Sequence, residues 1–403
     1  MNLRKQRKRN RKNNVNTVIC SLISYFLFGG ERPEITDWEG VYTFFEEHAV
    51  LPIAGTKNRL DDFDGIPGNV LADWNKAVQD GISSFFYVRY AGKKLTELLE
   101  KTDVIPVILK GAAAGKYYPE PAFRTYGDID FLIHGDKDEE AVAEFLVSDG
   151  FSDENRDDEF NRSRHIRLSK NKIEYELHKR FSLQLDESDY LLDEMLENAV
   201  PEKQDDFYCF DDVLNGVILL EHLKYHIFDR GAGLRQVIDF MCFTEKVITE
   251  SFWNENFLPV LDKMNLTTLA VHTIRMCEMF FGLKPHGFAA SADDELCCQL
   301  MNEVCSSGNF GRSKDDFNTS VSKYIGRGVN FRQLQAGGMF NWKAAQKHKF
   351  LVPFAWIYQI FRLLGILISS RLKGKKLSDG VNQKKETDTL LLNLGLRKEQ
   401  DDK

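Results

Sequence analysis

Two aspartates set two residues apart carry the most chemistry in this chain. Gly127-Asp128-Ile129-Asp130-Phe131-Leu132-Ile133 alternates, so a strand here puts Asp128 and Asp130 on one face and Ile129, Phe131 and Ile133 on the other. The apolar face suits a core, which turns the acids toward a cleft. Two carboxylates so placed repel each other. A divalent cation removes the conflict, and Mg²⁺ typically takes one or two carboxylates together with substrate phosphates. Lys110 and Arg124 are the cations for those phosphates, the lysine as a flexible point charge and the arginine as a bidentate fork. Gly111 would let a phosphate chain approach the backbone, and a helix over 112–118 would offer its first N–H groups. Ile173 to His178 also alternates, with Glu174, Glu176 and His178 sharing one face. Each of these residues has a plainer reading: a surface lysine, a structural Arg–Asp pair, a solvated glutamate, a structural histidine.

The elements that must position these groups follow from the pattern. Val104 to Leu109 is a short β-rich apolar run that suits a buried strand, and Lys110-Gly111 ends it. Ala112 to Tyr118 is a good helix former, stopped by Pro119 and Pro121. A short amphipathic helix fits Asp136 to Asp149, ended by Gly150. Ser152 to Glu159 is read as a solvated acidic loop. Ser163 to Leu168 and Ile173 to His178 form a hairpin across the turn Ser169 to Lys172, which brings Glu176 beside the aspartate strand.

In this order the blocks resemble the nucleotidyltransferase superfamily that includes DNA polymerase β, where a strand, a Gly-Ser turn, a helix and an Asp-x-Asp strand follow one another. They are similar more closely to an uncharacterised bacterial nucleotidyltransferase family whose motif reads LKG, Arg, D-I-D and E-L-H. Here these are Leu109-Lys110-Gly111, Arg124, Asp128-Ile129-Asp130 and Glu176-Leu177-His178. The resemblance runs from about Thr36 to the Phe350 region. Lys110-Gly111-Ala112 stands where better-studied branches have Gly-Ser.

The resemblance implies an α+β fold: a small mixed β-sheet nucleotidyltransferase core flanked by N-terminal and C-terminal α-helical layers. It implies transfer of a nucleoside monophosphate from an NTP to a small-molecule or protein hydroxyl, with release of pyrophosphate. Mg²⁺, or Mn²⁺ in its place, would be held by Asp128, Asp130 and Glu176, the Glu-Leu-His match choosing Glu176 over Glu174. Glu176 would also take the acceptor's proton. Lys110, Gly111, Arg124 and His178 would contact the nucleotide, and Lys110 and Arg124 would matter little for folding. Two expectations compete with turnover: a catalytically degenerate nucleotide-binding protein, and a membrane-associated scaffold.

The flanks divide into a basic leader and first helix at 1–30, a helical region at 31–101, the catalytic core at 102–200, a second helical region at 201–373 and a flexible tail at 374–403. Val18 to Phe28 is read as a docked helix rather than a secretory signal, since no small-x-small cleavage site follows it. Thr36 and Glu39 suggest a capping box. Leu71, Trp74, Val78, Ile82, Phe86 and Val88 supply one apolar side of a helix starting near Val70. Val213 onward suggests an antiparallel helix pair. On it, His222 and His226 stand at zinc-chelating i, i+4 spacing, but no third ligand or HExxH accompanies them, so they are read as lining the cleft or packing the helices. Arg235 and Asp239 could pair within one helix.

Composition narrows the partners. The net charge is −8, and seven cations between Arg4 and Lys12 leave the rest more acidic still. An acidic body is poorly suited to tracking a long nucleic acid. Seven cysteines without CxxC suit reduced thiols in a cytoplasm. Phe350 to Leu372 is the most apolar segment, but Pro353, Gln359 and Arg362 interrupt it. It is read as a core or docking helix, with peripheral membrane contact as the alternative. No Ser/His/Asp triad, P-loop or GxGxxG is recognisable.

Overall fold

A computed structural model describes residues 17–396 except 136–137, 157–161, 163, 182–186, 230, 310–330, 343, 346–347 and 373–376. The basic leader, part of the 152–159 loop and most of the polar stretch after Ser306 therefore lie outside the described residues.

Seven strands form one mixed sheet: β1 Ile105–Ile108, β2 Ile129–His134, β3 Ser152–Asp153, β4 His165–Lys170, β5 Ile173–His178, β6 Glu202–Gln204 and β7 Phe207–Cys209. Their order is β3-β4-β5-β2-β1-β7-β6. β1 and β2 are antiparallel, with Ile108 opposite Phe131. β2 and β5 are parallel, and Asp130 is paired with Glu176. β4 and β5 form the expected hairpin. Its turn residues Asn171 and Lys172 have φ of 53° and 67°, the left-handed pair that a two-residue hairpin turn requires. β6 and β7 extend the other edge, where the sequence suggested no strands.

The sheet separates two apolar cores. Ile129 and Phe131 pack with Ile166, Leu168, Tyr175 and Leu177 on one face. Helix α5, Glu139–Ser148, covers that face through Val142, Ala143 and Leu146. Asp138 caps α5 by accepting from the N–H groups of Glu140 and Ala141. The other core is larger and mostly helical. It is built around α7, Asp212–Asp229, and α8, Leu234–Val247. The 32-residue helix α3, Gly68–Leu99, runs past both cores. Val70, Trp74 and Val78 enter the larger one, and Val88, Leu95 and Leu99 the smaller. At 1.5 Å per residue it is about 48 Å long, enough to bridge them.

Helix α1 at 17–28 is docked, as expected, with Ile19, Leu22 and Phe26 buried. Several other expectations need correction. The cap of α2, Trp38–Glu47, is Asp37 rather than Thr36; its carboxylate accepts from the Gly40 N–H at 2.9 Å. Phe86 is turned outward and exposed, because the apolar stripe of α3 shifts to Val88 and Ala91 where it meets the second core. The helix after Lys110 is α4, Lys110–Gly115, earlier and shorter than 112–118. Asp239, which spacing set four residues from Arg235, pairs with Arg124 across the core. The tail contains α13, Leu377–Asn393, and Leu390, Leu391, Leu394 and Leu396 are buried in the larger core. A turn of four leucines can find a long-range apolar site even within a polar segment.

Candidate active site

The loop after β1 places the first cation. Lys110 adopts φ of 43°, a left-handed conformation that costs a non-glycine residue on the order of 1 kcal/mol. It turns the chain from strand to helix and brings Nζ to 2.9 Å from Asp130 Oδ1. Asp130 projects from β2 away from the buried Phe131. His178, at the end of β5, lies on the same side, its Nε2 2.8 Å from the same oxygen. Glu176, one pleat back on β5, sits beside Asp130 by register. Its Oε2 is 3.8 Å from His178 Nε2, and its Oε1 is 3.7 Å from His165 Nε2.

These groups line one cavity of about 400 Å³, between the sheet and α7 and α8. That is large enough for a small ligand. Lys110, Gly111, Arg124, Asp128, Asp130, Glu176 and His178 all reach it. Glu174 does not line it and is exposed. His222 and His226 line the opposite wall with their Nε2 atoms 2.9 Å apart.

The charges are unevenly compensated. Burial would raise the Asp130 carboxyl, but Lys110 and His178 hold it well below the usual range. The Asp130 charge, with burial, raises Asp128. Burial first, then the Asp130 and Asp128 charges, push Glu176 up to about 7. Burial lowers His178, and burial, with the neighbouring His178 ring and the Arg164 charge, brings His165 down to about 4. Toward an ionised Asp130 the His178 Nε2 would donate; to ligate a metal through Nε2 the ring would carry its hydrogen on Nδ1. Its Nδ1 is buried and makes no hydrogen bond among the described residues.

Ligand atoms of Asp130, Glu176 and His178 lie within 4.8 Å of one another, so these three could hold a metal ion. The set differs from the one read in the sequence, with His178 in place of Asp128. Two carboxylates and an imidazole suit a divalent cation. Burial, then the neighbouring Asp130 charge, raises Glu176, and a divalent ion among these donors would offset both, so the residues fit such an ion.

Arg124 is differently engaged from its expected role. Its Nε and Nη2 donate to Asp239 at 2.8 and 2.7 Å, and its Nη1 donates to the Thr125 carbonyl at 2.8 Å. Tyr118 also donates to Asp239, at 2.7 Å. This is the plainer of the two readings of Arg124, a structural pair, with only its flank on the cavity. An added Cβ at Gly111 would lie 3.4 Å from that guanidinium, an ordinary contact, so space alone does not require the glycine.

A family model described as an uncharacterised nucleotidyltransferase matches residues 34–282. The chain belongs to this nucleotidyltransferase family. The match spans both walls of the cavity and ends just after the helix Thr267–Phe281, short of the Phe350 region. No curated protein matches. Membership in this nucleotidyltransferase family implies a nucleotide substrate, and such proteins generally use divalent metals.

Sequence reasoning missed part of the nucleotidyltransferase cavity. Arg164, His165, Glu221, Tyr225 and Arg235 also line it. His165 had a signal: a turn at 171–172 pairs 165 with 178. Arg164 lies one step beyond the ladder, and its position depends on a helix 61 residues later, which no local pattern reveals.

Proposed function

We propose that this protein transfers a nucleoside monophosphate from an NTP to a hydroxyl of a small molecule or protein, releasing pyrophosphate. The observation that carries the reading is the register of β2 and β5, which sets Asp130 beside Glu176 with Lys110 on the same carboxylate. Asp130, Glu176 and His178 would hold Mg²⁺ or Mn²⁺, with Asp128 at the cavity mouth adding negative charge. A bound divalent ion supplies charge stabilisation for the attacking and leaving oxygens. Glu176, poised near neutrality, takes the proton of the acceptor hydroxyl. Lys110 lies where it can leave Asp130 for a phosphate oxygen. Arg124 orients α8 through Asp239 and thereby holds the cavity wall. Seven cysteines outside any disulfide support a cytoplasmic setting.

The test is incubation of the protein with each labelled NTP, Mg²⁺ or Mn²⁺, and a cell lysate, following label and pyrophosphate. Expected is metal-dependent transfer that drops about 10²-fold or more in Asp128→Asn and in Asp130→Asn, about 3 kcal/mol of transition-state stabilisation. Turnover that survives both the substitutions and EDTA would sink the metal mechanism. Nucleotide binding without transfer would favour the degenerate reading.

A specific observation also favours contact with a membrane surface. Phe354, Phe361, Leu364 and Ile368, in and just before α12, Ala355–Leu372, are exposed. Their spacing of three, four and seven residues puts them on one stripe. No helix among the described residues is long and apolar enough to cross a membrane. A helix lying in the interface would bury this stripe.

A further inference from the structure

The commitment of Arg124 to Asp239 and Thr125 leaves the second phosphate contact, beside Lys110, to another residue. We propose that Arg164, stacked on Tyr225, is the arginine that grips the β- and γ-phosphates of the NTP; this assignment rests on the nucleotidyltransferase reading. Arg164 immediately precedes β4, and its carbonyl accepts from the Lys179 N–H at 3.0 Å, one step past the ladder. That bond fixes the backbone at the cavity edge. The guanidinium carbon lies 4.5 Å from the centre of the Tyr225 ring on α7. Both residues line the cavity that holds Asp130 and Glu176.

The arrangement suits an anion with several oxygens that can take two N–H donors at once. The ring of Tyr225 lies against the guanidinium, whose N–H donors can make paired hydrogen bonds to phosphate oxygens. Arg164 makes no ion pair with any described carboxylate, and its Nε is buried with no hydrogen-bond partner among the described residues. A buried donor without an acceptor is unfavourable, and a phosphate oxygen would satisfy it. The carboxylates of the cavity do not fill the role. Asp130 is held by Lys110 and His178, and Glu221 by the buried Lys224 at 3.0 Å. Arg164 reaches the cavity from the start of the hairpin and Lys110 from the end of β1. A triphosphate between them would be gripped from two elements, and its α-phosphorus left nearest the carboxylates.

The experiment measures binding by isothermal titration with Mg²⁺ and ATP, with inorganic tripolyphosphate, and with AMP, for wild type, Arg164→Ala, Arg164→Lys and Tyr225→Ala. Expected is a loss of 10-fold or more for ATP and tripolyphosphate in Arg164→Ala, with AMP changed less than 3-fold. Arg164→Lys keeps the charge and stem but not the fork, so it should recover only part of the loss. It also keeps the test decisive if the alanine variant does not fold. Tyr225→Ala should weaken ATP and tripolyphosphate while leaving AMP unaffected. Wild type that binds ATP while Arg164→Ala and Arg164→Lys bind it equally well overturns the assignment alone. An equal loss of AMP in these variants overturns the β,γ-phosphate placement. Wild type that binds neither ATP nor tripolyphosphate overturns the nucleotidyltransferase reading and the assignment together.

Discussion

At the scale of single residues, burial decides which charges serve the fold and which serve the site. Arg124 and Asp239 are both nearly inaccessible, 3% and 2% exposed at the side chain. Removing one partner leaves the other charge buried, which costs about 3–5 kcal/mol. Arg124→Ala should therefore lower stability by that amount in urea denaturation, and Arg124→Ala/Asp239→Ala should recover part of it. This reverses the expectation that Arg124 matters little for folding; a wild-type midpoint for Arg124→Ala would refute it. Glu176 is strained in the other sense. Its carboxyl is raised from an ordinary 4.5 to about 7, so the folded state binds its proton more tightly than the unfolded chain does. Folding then loses stability as pH rises from about 4.5 through about 7, by about 3 kcal/mol at most. In EDTA, Glu176→Gln should gain on wild type progressively across that window. A stability difference that stays flat from pH 4.5 to 8 would show that Glu176 titrates normally.

At the scale of elements, what was legible is what repeats over short distances. The alternation in Asp128 to Ile133 and Ile173 to His178 placed the acids opposite an apolar face, and the structure buries Ile129, Phe131, Tyr175 and Leu177 accordingly. The hairpin followed from two such runs and a polar turn. The strands of three residues at β6 and β7 were not legible, because so short a run carries no period. Nor was the Arg124–Asp239 pair, whose members stand 115 residues apart; sequence spacing favoured Arg235, four residues away. Helix α12 is the element whose pattern and structure raise a question about surroundings. Burying four large apolar side chains in an interface stabilises binding, on the order of 1 kcal/mol or more each. Full-length protein should float with anionic vesicles, and Phe361→Ser/Ile368→Ser should stay in the soluble fraction. If wild type fails to float at any vesicle composition, the stripe has another use.

At the scale of the whole molecule, the cavity lies between two cores and takes residues from both of its walls. The strands that carry Asp130 and Glu176 bury their other face in the smaller core, with Leu146 of α5 at its centre. Tyr225 and His222 ride on α7, whose buried face belongs to the larger core, where Leu394 also lies. Leu146 and Leu394 are both fully buried, so Leu→Ala at either should cost about 2–5 kcal/mol. A nucleotide that touches both walls is bound only when both cores are folded. Ligand at 100 times its Kd adds about 2.7 kcal/mol to whatever unit must be intact for binding. Mg²⁺ with ATP, each variant measured at 100 times its own Kd, should therefore stabilise wild type, Leu146→Ala and Leu394→Ala by the same amount in thermal denaturation. Probes in the two cores should move together on addition of ligand, because neither wall holds the nucleotide alone. A ligand effect that rescues one core and leaves the transition of the other unmoved would place the nucleotide on a single wall, and the two-walled cavity would then not be its binding site.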